Sequence, residues 1–318
     1  MYISDKRTAN TLAVFVLVIG PWLGVSMQAW GWLLDMVMLL AILCVGRNAG
    51  AQALRYGTVF LASGYALALI YSNGLSSIEY FSFVPWAGLV TLWGLKTKRE
   101  QKVIVFWSLV AAVILAVLPS ASMLWQEVPQ ESVQTFVQAT LEQYRQTGMM
   151  DSLVSQGLTE SQLETLFSQI ATTILTITPG LIGVSALAKW GIVYYFMMRY
   201  WPFEGLTYRP FTEWRLPWYA VWGMNFALAS YLIGDQIQWL ALKNIGLNLM
   251  IVYAVVALVL GSSLFINFLR LPWLSGFFRF IIIFASVFYA QLTALVLVIV
   301  GLLDLVLDFR HRRLQKKE

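Results

Sequence analysis

Charged residues cut this chain into long apolar runs. Residues 8–34, 56–78, 103–126, 165–188, 216–234, 244–269 and 280–303 contain no Asp, Glu, Lys or Arg, and each run is 19 to 27 residues long. About 20 apolar residues cross a ~30 Å hydrocarbon core as a helix, and a helix satisfies its own backbone polar groups in lipid. The short alternating segments that a membrane β-barrel requires are missing. The pattern therefore predicts an all-α, polytopic transmembrane helical bundle of about 8–10 spans.

Four regions follow from the same pattern. Residues 1–125 form an N-terminal transmembrane bundle of five apolar segments. In it, 8–46 hold the single charge Asp35 and turn near Gln28–Gly31, and 56–95 turn between Ser72 and Glu79. The basic loop 96–102 precedes a span over 103–125. Residues 166–308 form a C-terminal bundle: a long segment 166–198 interrupted at Pro179-Gly180, an aromatic and basic loop 199–216, spans near 217–236 and 244–268, and a final apolar block 271–308. Residues 309–318 are a basic tail. Simple counting gives nine spans, which would set two basic termini on opposite sides of the membrane. An even number is favoured, with the last block a tight hairpin (271–288 and 290–308) or one segment re-entrant.

Residues 126–165 are of another kind, with six acids, one base and many Gln, Ser and Thr. Val133, Phe136, Val137, Leu141 and Tyr144 recur at helical spacing. Gly157 breaks the pattern, and Thr159 with Gln162 three residues on reads as a capping box opening a new helix. An acidic segment between basic-flanked spans belongs outside the cytoplasm, as a helical hairpin or as a lid over a site.

Composition sharpens this picture. With 59% hydrophobic and only 12% charged residues, against about 25% charged in soluble domains, the chain cannot cover a water-facing surface. The net charge of +5 follows the positive-inside rule rather than nucleic-acid binding. Eighteen of the 21 Lys and Arg fall in the N-terminus, the tail and the loops around 47–55, 96–102, 199–215 and 270–279, placed on the cytoplasmic side. This predicts a bacterial inner-membrane protein. Residues 8–34 are too long for a cleaved signal sequence, and the one cysteine, Cys44, excludes a disulfide framework.

Candidate chemistry is sparse. No phosphate-binding G-x-x-x-x-G-K-[ST] loop occurs, and the one histidine, His311, lies in the basic tail. No metal site, cofactor or Ser-His-Asp triad is expected, and no enzyme. Ionisable groups inside apolar spans are expensive and mark function by default, which singles out Asp35 and Lys189 as ligand-binding candidates, either toward each other or toward a substrate. The competing reading sets each at an interface, as a helix cap or a snorkelling lysine. Asp304 and Asp308, four apart and before Arg310, read as a charge-paired helix end. Small residues at helix-packing spacing are Gly20 and Gly24, Ala62 and Ala66, and Gly180 and Gly183 with Ala186. Trp214, Trp218 and Trp222 recur every four residues, as on one helix face at a membrane boundary.

The segment Phe211-Thr212-Glu213-Trp214-Arg215-Leu216-Pro217, the run Asn244–Leu249 and the ending Gly301–Arg310, with its Asp304, Asp308 and Arg310, resemble the YybS-like bacterial membrane proteins. The likeness is specific over about 200–313 and architectural over 1–125. It implies a relation to the substrate-binding membrane subunits of energy-coupling-factor transporters, hence a small-ligand cavity and a separate ATPase or other membrane partner, docked on a small-residue face. Glu213, Trp214, Arg215 and Pro217 are expected to be structural, fixing a loop elbow. Two functions fit: binding or transport of a small molecule without an ATPase of its own, and a non-transporting membrane scaffold acting through loops and partner helices.

Overall fold

The computed structural model describes residues 6–307 apart from 73, 158, 204, 205 and 207. Among these residues every regular element is helical, as the apolar periodicity requires. The α-helices are α1 (Lys6–Ser26), α2 (Gly31–Asn48), α3 (Ala53–Tyr71), α4 (Ala87–Lys96), α5 (Gln101–Val117), α6 (Ser122–Trp125), α7 (Gln130–Gln146), α8 (Met149–Ser155), α9 (Glu160–Tyr200), α10 (Val221–Gln236), α11 (Leu240–Leu269), α12 (Gly276–Phe288) and α13 (Ala290–Leu307). Asp308, Arg310 and the basic tail lie outside the described residues.

By length and composition five segments suffice to cross a membrane: Gln28–Asn48, Ala53–Tyr71, Gln101–Ser120, Glu160–Tyr200 and Leu240–Leu269. The pair α12 and α13 makes a sixth if counted as one bent span. The bundle is thus polytopic and helical, with fewer full-length spans than the hydropathy count. The shortfall lies in three places. The shorter apolar helix Asn10–Ser26 falls below the span length; α4 has 10 residues because 74–86 are 3-10 turns joined by the irregular residues 81–83; and α10 has 16. The final block is not a tight hairpin either, since α12 and α13 meet at 105°.

The chain divides into two compact units. The first comprises 1–119, 182–225 and 252–318; the second 120–181 and 226–251. In the first, α1 packs on α2 and α3, and α4 packs on α5. The core gathers Leu17, Leu39, Ile42, Leu61, Val84, Trp190 and Met197. A Cβ on Gly64 would strike the backbone carbonyls of Leu17 and Val18, and one on Gly20 would lie 2.7 Å from the Met38 sulfur. Close approach therefore runs through Gly20 and Gly64. Gly24 faces open space, and Ala62 and Ala66 are exposed, so the expected packing face on α3 is turned outward. The buried row of α3 is Leu61, Gly64, Tyr65 and Ala68, one residue out of phase with the small-residue row. Gly183 contacts Val113 and Val252 as a packing residue. On α11 and α13, Gly261 and Gly301 let the two backbones meet: a Cβ on Gly301 would lie 2.9 Å from the Gly261 nitrogen.

In the second unit, Val137, Leu141, Met150, Leu163 and Ala171 form a core with Val133 and Phe136 against it, and Tyr144 meets Phe167 edge-on at 5.2 Å. The capping box is present: Thr159 N–H donates to Gln162 Oε1 at 2.9 Å, and Gln162 N–H to Thr159 Oγ1 at 3.4 Å. Arg145 pairs with Glu160. The interruption expected at Pro179-Gly180 is absent: α9 runs through Pro179 as one helix, and the helix is stitched there, where Pro179 has no amide to donate, by a side chain. Gly180 N–H donates to Asn248 Oδ1 at 2.6 Å, and Asn248 Nδ2 donates to the Thr176 carbonyl at 3.0 Å.

Candidate functional site

Two features of the first unit bring chemistry together. The first is a buried ion pair. Asp35, early in α2, and Lys189, on α9, meet at 2.7 Å between Oδ2 and Nζ, with side chains 2% and 16% exposed respectively. Ser82 Oγ donates to the same Oδ2 at 2.7 Å. Ser82 belongs to the irregular, non-helical stretch 81–83, which is held by the Tyr65 hydroxyl donating to the Ser82 carbonyl and by Tyr65 stacking on Phe83 at 5.3 Å. Non-helical backbone of this kind is tolerated at membrane depth only when buried in protein, and Phe81, Val84 and Pro85 are buried. The two charges that sequence reasoning singled out therefore answer each other, and their described contacts join α2, α9 and 81–83.

The second feature is an apolar cleft of about 480 Å³, within the ~300–1,000 Å³ usual for ligand sites. Its walls come from α5 (Val105, Leu109), α9 (Val184, Leu187, Trp190, Gly191) and α11 (Val255, Val256, Val259, Leu260). Residues 208–216 line it as well, through Tyr208, Arg209, Phe211, Trp214, Arg215 and Leu216. Lys102, Gln101, Tyr194 and Tyr195 are also among the lining residues, and no carboxylate takes part. Neither Asp35 nor Lys189 lines it.

A hydrogen-bonded chain backs one wall. Trp190 Nε1 donates to Thr91 Oγ1 at 3.2 Å, Thr91 and Ser108 hydroxyls lie 2.9 Å apart, and Trp190 stacks on Tyr194 at 4.7 Å. Gln101 Nε2 donates to the Tyr194 hydroxyl at 3.2 Å. These residues carry no motif; the one signal in the sequence is the aromatic pair Trp190 and Tyr194, at i and i+4 beside Lys189.

The segment 211–217 is where the structure departs most from the sequence reading. Phe211–Glu213 is one 3-10 turn, and Trp214 is extended (φ −64°, ψ 128°). The residue before a proline is pushed away from helix, so Pro217 keeps Leu216 extended, and α10 opens only after a second 3-10 turn at Trp218–Ala220. Trp214, Trp218 and Trp222 therefore share no helix face. Trp214 meets Phe211 at 5.1 Å and Tyr195 at 6.5 Å beside the cleft, whereas Trp218 and Trp222 are exposed. Ser263 Oγ donates to the Phe211 carbonyl at 2.6 Å and fixes the turn to α11. Glu213 is exposed and Pro217 buried. Arg215 lines the cleft, and both it and Asp304 have interaction partners.

The model of the DUF2232 family of predicted membrane proteins matches residues 13–305. The chain belongs to that family. The matched span takes in both units and 126–165. No curated protein and no solved structure matches the chain. Membership establishes a membrane protein and assigns no activity.

Proposed function

We propose that this DUF2232 protein binds a small, mostly apolar molecule in the cleft between α5, α9, α11 and residues 208–216, as the binding component of a carrier that lacks a nucleotide-hydrolysing loop of its own. The cleft carries the reading. A bundle acting only as a scaffold has no need of a hollow of about 480 Å³, because an unfilled hollow forfeits dispersion contacts along its lining. The likeness of 211–217 and 301–310 to YybS-like proteins, and through them to substrate-binding subunits of energy-coupling-factor transporters, agrees with a binding role. Four residues of 211–217 line the cleft. A separate ATPase or membrane partner would then supply the energy, and Gly24, Ala62 and Ala66 are small and outward-facing on the first unit. The bacterial inner membrane, with the basic loops and tail cytoplasmic and 126–165 outside, is the setting we adopt.

Gly191 provides the test, because it lines the cleft and an added Cβ there meets nothing within 4 Å. Gly191→Phe should fold as the parent does and lose binding of an environment-sensitive, uncharged alkyl probe, followed by fluorescence in a neutral detergent. Parent protein that fails to take up the probe, or a variant that binds it equally well, contradicts the proposal.

One observation favours the scaffold alternative. No residue of α12 is buried, and Phe277, Phe280, Phe284, Val287 and Phe288 are among its exposed apolar side chains. At 13 residues, about 20 Å long, α12 is too short to cross the bilayer alone. Such a face suits lipid or a partner helix and coexists with a binding role.

A further inference from the structure

We infer that the ligand of this cleft is an anionic amphiphile, whose acidic head sits against Arg209 and Lys102 and whose chain lies along α9 and α11; the inference rests on the binding role proposed above. The lining supplies three cations, Lys102, Arg209 and Arg215, and no carboxylate, and most of the remaining surface is aliphatic or aromatic. Such a lining gives an apolar chain a favourable environment throughout and an anion a favourable one only where the cations stand.

The cations are not used up by the fold to the same degree. Lys102 touches Glu100 at 2.8 Å, but both groups are well exposed, at 46% and 70%, and exposed pairs bind weakly. Arg209 forms no ion pair among the described residues, and it stands close enough to act on Glu100. The Lys102 ammonium, by hydrogen bond and charge, holds the Glu100 carboxyl below its ordinary range, with Arg209 adding to the effect. Arg209 is therefore the principal cation left for an incoming anion.

The segment carrying Arg209 is built to stay in place. Phe211 is anchored to Ser263 at 2.6 Å, and the neighbouring Tyr208 ring lies under the Arg199 guanidinium at 5.2 Å. Tyr208 also reaches Tyr195. A guanidinium carried on an anchored segment beside an apolar slot selects carboxylate or phosphate heads, because charge-assisted hydrogen bonds are about twice as strong as neutral ones.

The test uses the full chain in dodecyl maltoside and two probes with the same apolar body. One is dodecanoic acid tagged at its far end with nitrobenzoxadiazole, and the other is its methyl ester. The acid should bind at least about tenfold more tightly than the ester, and Lys102→Gln/Arg209→Gln should bring the two to within about twofold. The unfolding midpoint of that variant should match the parent's, which shows that it is folded; acid binding that stays tenfold tighter than ester binding in the variant overturns the assignment of these two cations. Dodecyl phosphate should displace the acid probe, and inorganic phosphate at the same concentration should not.

Equal binding of acid and ester to the parent overturns the charge inference and leaves the apolar site standing. Displacement by inorganic phosphate would mean that the site takes simple anions and not amphiphiles. Binding of neither probe would instead remove the binding role itself.

Discussion

Asp35 and Lys189, 154 positions apart in the chain, hold each other as a buried ion pair. Breaking one partner of a buried pair strands the other and costs about 3–5 kcal/mol, whereas replacing both is often close to neutral. Lys189→Leu should therefore lower the unfolding midpoint in detergent sharply, and Lys189→Glu should do so further. Asp35→Asn with Lys189→Met should recover most of the loss, because Ser82 can still bond the amide. A double variant no more stable than Lys189→Leu would show that the pair is not an energetic unit. Asn248 was quoted only as part of a family-like run, yet its amide bridges Thr176 and Gly180. Asn248→Leu leaves the buried Gly180 N–H and the half-buried Thr176 carbonyl without their side-chain partner, at about 1–3 kcal/mol for a buried group. Its unfolding midpoint should fall well below that of Asn248→Gln, which keeps an amide at this position; equal midpoints would contradict the stitch.

Among the elements, helix existence followed directly from charge-free runs, because backbone satisfaction in lipid leaves few other choices. Helix length and facing did not. Residues 80–95 read as the second half of an apolar pair, but 81–83 are irregular, Val84–Trp86 is a 3-10 turn and α4 starts only at Ala87. The Ser82 and Tyr65 bonds are non-local, and no period reveals them. Likewise, Ala62 and Ala66 have the spacing of a packing face, while Gly64 between them makes the contact, because a missing Cβ matters only where another backbone arrives. Gly64→Leu should reduce the yield of folded protein, and Ala66→Leu should leave it within error. A reversed order would put the α1–α3 crossing elsewhere. The α11–α13 crossing predicts the same for Gly301→Leu, whose side chain would drive into Ala257 and Gly261. It should unfold at lower temperature than Gly276→Leu, where nothing lies within 4 Å of the added carbon.

For the whole molecule, membrane residence was written in the hydropathy, and the cleft was not. Its lining draws on Gln101 at one end of the sequence range and Leu260 at the other, and a hollow is a property of packing rather than of any motif. Orientation follows from charge. If 126–165 lie outside the cytoplasm, Ser152→Cys in a Cys44→Ser background should react with an impermeant thiol reagent in intact spheroplasts, since Ser152 is exposed. Reaction only after lysis would reverse the topology. The central claim, that the cleft and not the outer apolar surface holds a ligand, is tested most directly by photolabelling. A dodecanoic acid bearing a diazirine in its chain is irradiated with the protein, and the labelled peptides are mapped by mass spectrometry. Saturable label is expected on 101–109, 184–196, 208–216 and 255–260, abolished by Gly191→Phe. Label confined to the outward face of α12, unsaturable and unaffected by that substitution, would contradict it.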